Sequence, residues 1–201
     1  MLRAMTEALF DLANPLDAVG RWMAAAAAAS PQDASRVALA TSTSDGRPSV
    51  RYVLAKVVDS RGVCFFTSYE SRKARELDAN PFAALAFHWW ETGGQVRLEG
   101  RVERLSSEES DAYFASRPRG SRIGAWASPQ SQVISDRDVL EARIREVEAR
   151  FSGDVPRPET WGGYRLVPDT IELWQDRVSR LHDRALYTRD GDRWRCVRLA
   201  P

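Results

Sequence analysis

Several groups of residues in this sequence have types and spacings that could hold an anion or move a proton. Tyr113 and Arg117 stand four apart, which puts both on one face of a helix, and the turn from Arg117 through Pro118 can bring the Ser121 hydroxyl beside them. A phenol, a guanidinium and a hydroxyl that converge in this way suit a phosphate monoester, because arginine offers a fork of donors and the others one each. The plainer reading is an ordinary helix end with solvated arginines, and spacing does not choose between them. Ser71-Arg72-Lys73 opens another helix, whose unpaired N–H groups and positive end favour an anion, although cations at a helix start are commonly just exposed. Arg51 and Lys56 fall on one expected strand with opposite parity, so they serve a common ligand only across a bulge or a subunit interface. His182 lies among charges, where an imidazole can bind substrate, handle protons or simply join a salt-bridged loop; His88, between Phe87 and Trp89, reads as packed core or interface.

These residues need a frame. Pro15 opens an alanine-rich helix that ends at Ser30-Pro31, and β-type runs follow at residues 36–43, 49–58 and 63–67, separated by turns at 44–48 and 59–62. A short helix at 71–79 stops before Pro81, and strands at 83–89 and 95–105 come next. Ser106 and Glu109 form a capping-box signature for a helix that must stop before Pro118, and Leu140, Ile144, Val147 and Phe151 keep helical spacing in the next one. Strands return near 164–167, 171–174, 184–188 and 194–199, the last pair joined at Asp190-Gly191. A meander with inserted helices predicts a mainly β, α+β chain built on an antiparallel barrel, not a doubly wound sheet.

Composition narrows the function. The 201 residues carry 29 basic and 28 acidic side chains, a net charge of +1, with no basic block for nucleic acid or an anionic membrane surface. The size and the 43% apolar content suit one domain, expected at 15–201 behind a loose arm at 1–14. Cys64 and Cys196 are far apart and have only two histidines to join them, so no metal site is expected and a reducing cytoplasm fits. No apolar run approaches the roughly 20 residues of a bilayer span. Rossmann, P-loop and nucleophile-elbow motifs are absent, so any phosphate has to be held by side chains.

Longer motifs occur in a telling order: RPSVRYVLAK at 47–56, FFTSYESRKARELDANP at 65–81, QVRLEGRVERLS at 95–106, YFASRPRGSRIGAWASPQS at 113–131, WGGYRLVP at 161–168 and IELWQDRVSRLHDR at 171–184. Together they resemble the pyridoxine/pyridoxamine 5'-phosphate oxidase family over nearly the whole chain. The resemblance implies an FMN-binding split β-barrel that works as a homodimer with FMN at the interface. By motif position, it places FMN contacts at Arg51, Tyr52, Val53, Leu54, Lys56, Phe66, Thr67, Arg72, Lys73, Gln95, Gln130, Ser131, Trp174 and Arg184. It assigns the substrate phosphate to Lys56, Tyr113, Arg117 and Ser121, three of which spacing had already grouped. Arg180 and His182 fall where the family orients the substrate ring for catalysis. The implied reaction is oxidation of pyridoxamine or pyridoxine 5'-phosphate to pyridoxal 5'-phosphate, with O2 as acceptor and H2O2 released.

The chain also departs from the family pattern. The first 13 residues contain Arg3 but no tyrosine for the usual Arg/Tyr arm over the substrate, Gly94 stands where arginine is usual, and Asp176 replaces a common glycine. These departures keep two other roles in view: an oxidase of the phenazine-biosynthesis type acting on an unphosphorylated aromatic intermediate, and a non-catalytic flavin or pyridoxal phosphate carrier.

Overall fold

The computed structural model describes residues 9, 10 and 12–201. Asn14 caps helix α1 (Pro15–Ala29) by accepting the Leu16 amide, and the helix lays Leu16, Val19, Trp22 and Ala26 on the sheet. Then come β1 (Arg36–Ser42), β2 (Pro48–Leu54), β3 (Val57–Asp59), β4 (Gly62–Ser68), α2 (Arg72–Ala79), β5 (Phe82–Trp89) and β6 (Gly94–Arg104). Three helices, α3 (Ser107–Ser116), α4 (Arg119–Ala127) and α5 (Arg137–Arg150), precede β7 (Trp161–Gln175), β8 (Asp183–Asp190) and β9 (Arg193–Arg198). The strands form one antiparallel sheet in the order β2-β1-β5-β6-β7-β4-β3, with β8 and β9 added beside β7, curled into a half-barrel. This is the split-barrel architecture. Among the described residues no helix is long and apolar enough to cross a membrane.

Strand alternation decides what faces inward. Phe87, Val96, Leu173 and Ala185 lie opposite one another across β5, β6, β7 and β8, and all four are buried in the core. The neighbouring row, His88, Gln95, Trp174 and Arg184, therefore points to the outer face. His88 is exposed there rather than packed inside.

Three expectations change. The run at 49–58 is not one strand: β2 pairs with β1 and β3 with β4, and the chain crosses between them at Ala55 and Lys56, whose amides bond to Ser35 and Cys64. Conversely, the runs at 164–167 and 171–174 are one long strand. A register shift at Glu99/Gly100 leaves Asp169 bulged and so accommodates Pro168 within β7. Leu9, Phe10 and Leu12, within the stretch expected to be a loose arm, pack against the core, where the Tyr187 hydroxyl donates to the Leu9 carbonyl at 2.7 Å and accepts the Leu12 amide. The rest of that expectation, residues 1–8 and 11, lies outside the described residues.

At the bulge, a Cβ on Gly100 would stand 2.1 Å from the Val167 carbonyl oxygen, a backbone atom with nowhere to go. Gly100→Ala is expected to destabilise the fold by about 1–3 kcal/mol through forced separation of β6 and β7. Thermal unfolding beside Gly153→Ala, where a Cβ meets nothing within 4 Å, checks this.

Candidate active site

The break between β2 and β3 does more than turn the chain. It brings Lys56 to the same side as Arg51, and both line a cavity of about 430 Å³ together with the β2 residues Tyr52, Val53 and Leu54. The parity conflict is thus removed within one chain, without a partner. β4 contributes Phe66 and Thr67 to this cavity, the start of α2 contributes Lys73, and α3 contributes Tyr113 and Arg117. Gln130 and Ser131, after α4, close it beside Trp161 at the start of β7.

At one end, Lys73 is buried and its ammonium lies 3.0 Å from Thr67 Oγ1, 3.2 Å from Ser71 Oγ and 3.2 Å from Gln130 Oε1, all neutral oxygens. Burial, with Arg51 nearby, pushes the ammonium down to about 8, Glu76 opposing the shift. The charge is held in a place that an anion would stabilise. Arg51 bonds Leu39 O, Thr41 Oγ1 and Ser49 Oγ, and pairs with Glu76 at 3.1 Å. Arg72, largely exposed, pairs with the same carboxylate at 2.8 Å. Burial would raise the Glu76 carboxyl, but hydrogen bonds from Ser49, Thr41, Arg72 and Arg51 outweigh it and hold it at about 2. Glu76 therefore stays ionised and anchors two arginines beside Lys73. Its spacing from Arg72 shows the i,i+4 pair in the sequence; its bond to Arg51 depends on tertiary folding.

At the other end, Phe66 stacks on Tyr113 with centroids 3.8 Å apart, and the Arg117 guanidinium lies 4.5 Å from the Trp161 ring centroid. Arg117 is the residue that caps the end of α3, and Arg117 Nη1 is buried without a hydrogen-bond partner. Burial pushes the guanidinium below its usual value, the Tyr113 hydroxyl opposing this. A buried, unpaired N–H of a cation is costly unless a ligand meets it. Trp161 completes this end, a residue that sequence reasoning left unassigned although it opens a quoted motif. Ser121 sits exposed in the first turn of α4 and is not among the lining residues.

Gln95, Trp174, Arg184, Arg180 and His182 lie elsewhere. Gln95, Trp174 and Arg184 share the outer row, and the His182 ring is 4.4 Å from that of Trp174. Arg184 is fixed by Glu172 at 2.7 Å, and Arg97 pairs with the same carboxylate at 2.8 Å. The connection from β7 to β8 carries two adjacent non-glycine residues at positive φ, Ser179 at 59° and Arg180 at 61°. Such strain persists only where surrounding contacts enforce it. Here the Leu181 amide bonds Val178 O, Arg177 pairs with Asp183 at 2.7 Å, and the Arg177 amide donates to His182 Nδ1 at 3.2 Å. One chain thus holds two groups of expected site residues on two different surfaces. Gly94, the departure at the start of β6, is packed under Trp22: a Cβ there would lie 3.0 Å from the ring, so the small residue answers to α1.

Comparison with known proteins gives these surfaces a context. Residues 23–151 match the family model for pyridoxamine 5'-phosphate oxidase, and residues 161–201 match the model for the pyridoxine 5'-phosphate oxidase C-terminal dimerisation region. Pyridoxine/pyridoxamine 5'-phosphate oxidase of Burkholderia thailandensis is 57% identical over 202 residues, covering 99% of this chain and 94% of the relative. Its namesake in Burkholderia vietnamiensis is 58% identical over 191 residues, covering 94% of this chain and 89% of the relative. Among solved structures, PhzG from Burkholderia lata 383 in complex with tetrahydrophenazine-1-carboxylic acid superposes with a TM-score of 0.90 at 37% identity, covering 96% of this chain and 95% of that one. A pyridoxamine 5'-phosphate oxidase-related, FMN binding protein from Nostoc punctiforme has a TM-score of 0.75 at 19% identity, covering 96% of this chain and 100% of that one, a likeness of fold.

Proposed function

We propose, because this chain belongs to the pyridoxamine 5'-phosphate oxidase family of flavin-dependent oxidoreductases, that it binds FMN and oxidises pyridoxamine or pyridoxine 5'-phosphate to pyridoxal 5'-phosphate. Oxygen is the electron acceptor and H2O2 the second product; with the amine as substrate, water supplies the aldehyde oxygen and ammonia leaves. The observation that carries the reading is Arg117 Nη1, buried without a partner in a guanidinium held over Trp161 beside Tyr113. That cluster suits a phosphate some distance from the second anion position at Lys73.

The residues fit FMN. Lys73, Arg51 and Arg72 would hold its phosphate; Thr67, Gln130, Ser131, Phe66 and the chain from Tyr52 to Leu54 would hold the rest. Gln95, Trp174 and Arg184 stand on the other surface, so in this reading the chain works as a homodimer in which each cavity is faced by the partner's outer row. The match of residues 161–201 to a dimerisation region supports that arrangement.

Bound FMN supplies the acceptor for hydride leaving the substrate's C4' carbon. The protein's share is positioning and electrostatics. Lys56, Tyr113 and Arg117, joined by Ser121 as a single donor, fix the substrate phosphate. Arg180 and His182 orient the ring, helped by the enforced backbone at Ser179 and Arg180. His182 Nδ1 lies 3.2 Å from the Arg177 amide and 3.1 Å from Asp176 Oδ1, so two neighbours hold the ring at that nitrogen.

The likeness to PhzG supports a second reading, in which the substrate is an unphosphorylated aromatic acid and Arg117 meets a carboxylate. A carrier role is a third. One experiment separates them: FMN-loaded protein, freed of oxygen, is mixed with pyridoxamine 5'-phosphate and the flavin absorbance is followed. Rapid bleaching, reversed by air with formation of pyridoxal 5'-phosphate, is expected. Persistent colour with both phosphorylated vitamers, but bleaching by unphosphorylated aromatic acids, would transfer the reading to the second role; no bleaching by either would leave the carrier.

A further inference from the structure

Asp176, the residue that replaces the family's usual glycine, lies with Oδ1 3.1 Å from His182 Nδ1. The same nitrogen is 3.2 Å from the Arg177 backbone N–H. One imidazole nitrogen cannot accept from one group and donate to another at the same time. The two contacts therefore belong to two proton placements at Nδ1. A bare Nδ1 accepts the Arg177 amide. A protonated Nδ1, in the neutral Nδ1–H tautomer or in the imidazolium, donates to Asp176 and gives up the Arg177 contact.

We propose that Asp176 is a positioning residue that keeps the His182 imidazole in one orientation, against Trp174, whether Nδ1 is bare or protonated. With glycine at 176, protonation would set Nδ1–H against the Arg177 N–H, and the ring would have to turn away from Trp174 to relieve it. The carboxylate is well placed for the task because its backbone is fixed: the Asp176 amide bonds Gly93 O at 2.8 Å, and Gln175 Nε2 bonds Thr92 O and Gly93 O. The other charged groups around the ring are occupied with one another. On the connecting segment and β8, Arg177 pairs with Asp183; from β9, Arg198 pairs with the same carboxylate; and Arg184 pairs with Glu172. Arg180 is exposed, and the C-terminal Pro201 lines the groove on the far side of His182.

The inference rests on the proposed oxidase reading for its catalytic consequence but not for its geometry. FMN-loaded protein labelled with ¹⁵N-histidine gives signals from only two histidines, and a His88→Asn variant assigns them. On acidification, the His182 signals are expected to show a hydrogen-bonded Nδ1–H with the ring still in contact with Trp174. Asp176→Gly is expected to keep the Trp174 contact at high pH and to lose it as the ring charges, and Asp176→Asn, whose Oδ1 still accepts, to retain it throughout. In turnover of pyridoxamine 5'-phosphate, kcat/KM of Asp176→Gly should equal that of the parent on the alkaline side and fall about two- to fivefold on the acid side, the range of a partly exposed ion pair. A loss equal at every pH, a Trp174 contact already lost at high pH, or no difference at any pH would overturn the proposal. If the parent fails to turn over this substrate, the oxidase reading falls and the spectra alone decide the role of Asp176.

Discussion

Arg117→Ala is expected to weaken binding of a phosphorylated substrate by about 2–4 kcal/mol, roughly 30- to 1,000-fold, while FMN affinity changes by less than about threefold. The size follows from geometry. Stacking over Trp161 orients the guanidinium, and Nη1 has no hydrogen-bond partner among the described residues, so a ligand phosphate gains a charge-assisted bond without displacing another. The selectivity follows from position, since the Lys73 end of the cavity is built from α2 and β4 and does not involve Arg117. Steady-state KM for pyridoxamine 5'-phosphate against flavin fluorescence titration separates the two effects. Equal loss of flavin would show that Arg117 serves the cofactor instead.

Lys73→Met is expected to cost FMN about 2–4 kcal/mol and to leave riboflavin, which lacks the phosphate, nearly unaffected. The pH dependence gives the sharper test. In the free protein the Lys73 ammonium is held near 8, below its ordinary 10.5. An anionic ligand favours the charged form, so FMN affinity should be flat between about pH 7, above the second ionisation of its phosphate near 6, and about pH 8. It should then fall as pH rises through 8 toward the higher value that Lys73 has in the complex. Folding stability runs in the opposite direction. The folded-state value is depressed, so the buried charge is destabilising below about 8, and this penalty is relieved as pH rises from 8 toward 10.5, where the unfolded chain binds the extra proton. A flat FMN affinity across this range in the parent protein would exclude Lys73 as a phosphate ligand.

Much of this was legible in the sequence, and the exceptions have physical causes. Spacing alone grouped Tyr113 with Arg117, because Tyr113 lies in the last turn of α3 and Arg117 is its C-cap, so their relation is local. The crossing at Ala55 and Lys56 was hidden, since β-type residues run without interruption from 49 to 58 and only the pairing of β2 with β1 and β3 with β4 breaks them. Pro168 suggested a strand end for sound local reasons, but the gap left by Gly100 across the ladder absorbs it. Glu76 and Glu172 were not singled out at all. Each is an ordinary acidic residue until folding brings arginines from other elements, Arg51 to Glu76 and Arg97 and Arg184 to Glu172. The separation of the residues expected to contact FMN into a cavity and an outer row could not be seen either, because sequence order carries no information about which face of a sheet a later strand will present.

β2 forms one edge of the sheet, and Val50 and Tyr52 on it are 70% and 78% exposed. An apolar strand with one unpaired side is a template for any other extended chain. A newly made chain is therefore at risk of aggregation through that edge, and yield on refolding should fall as chain concentration rises.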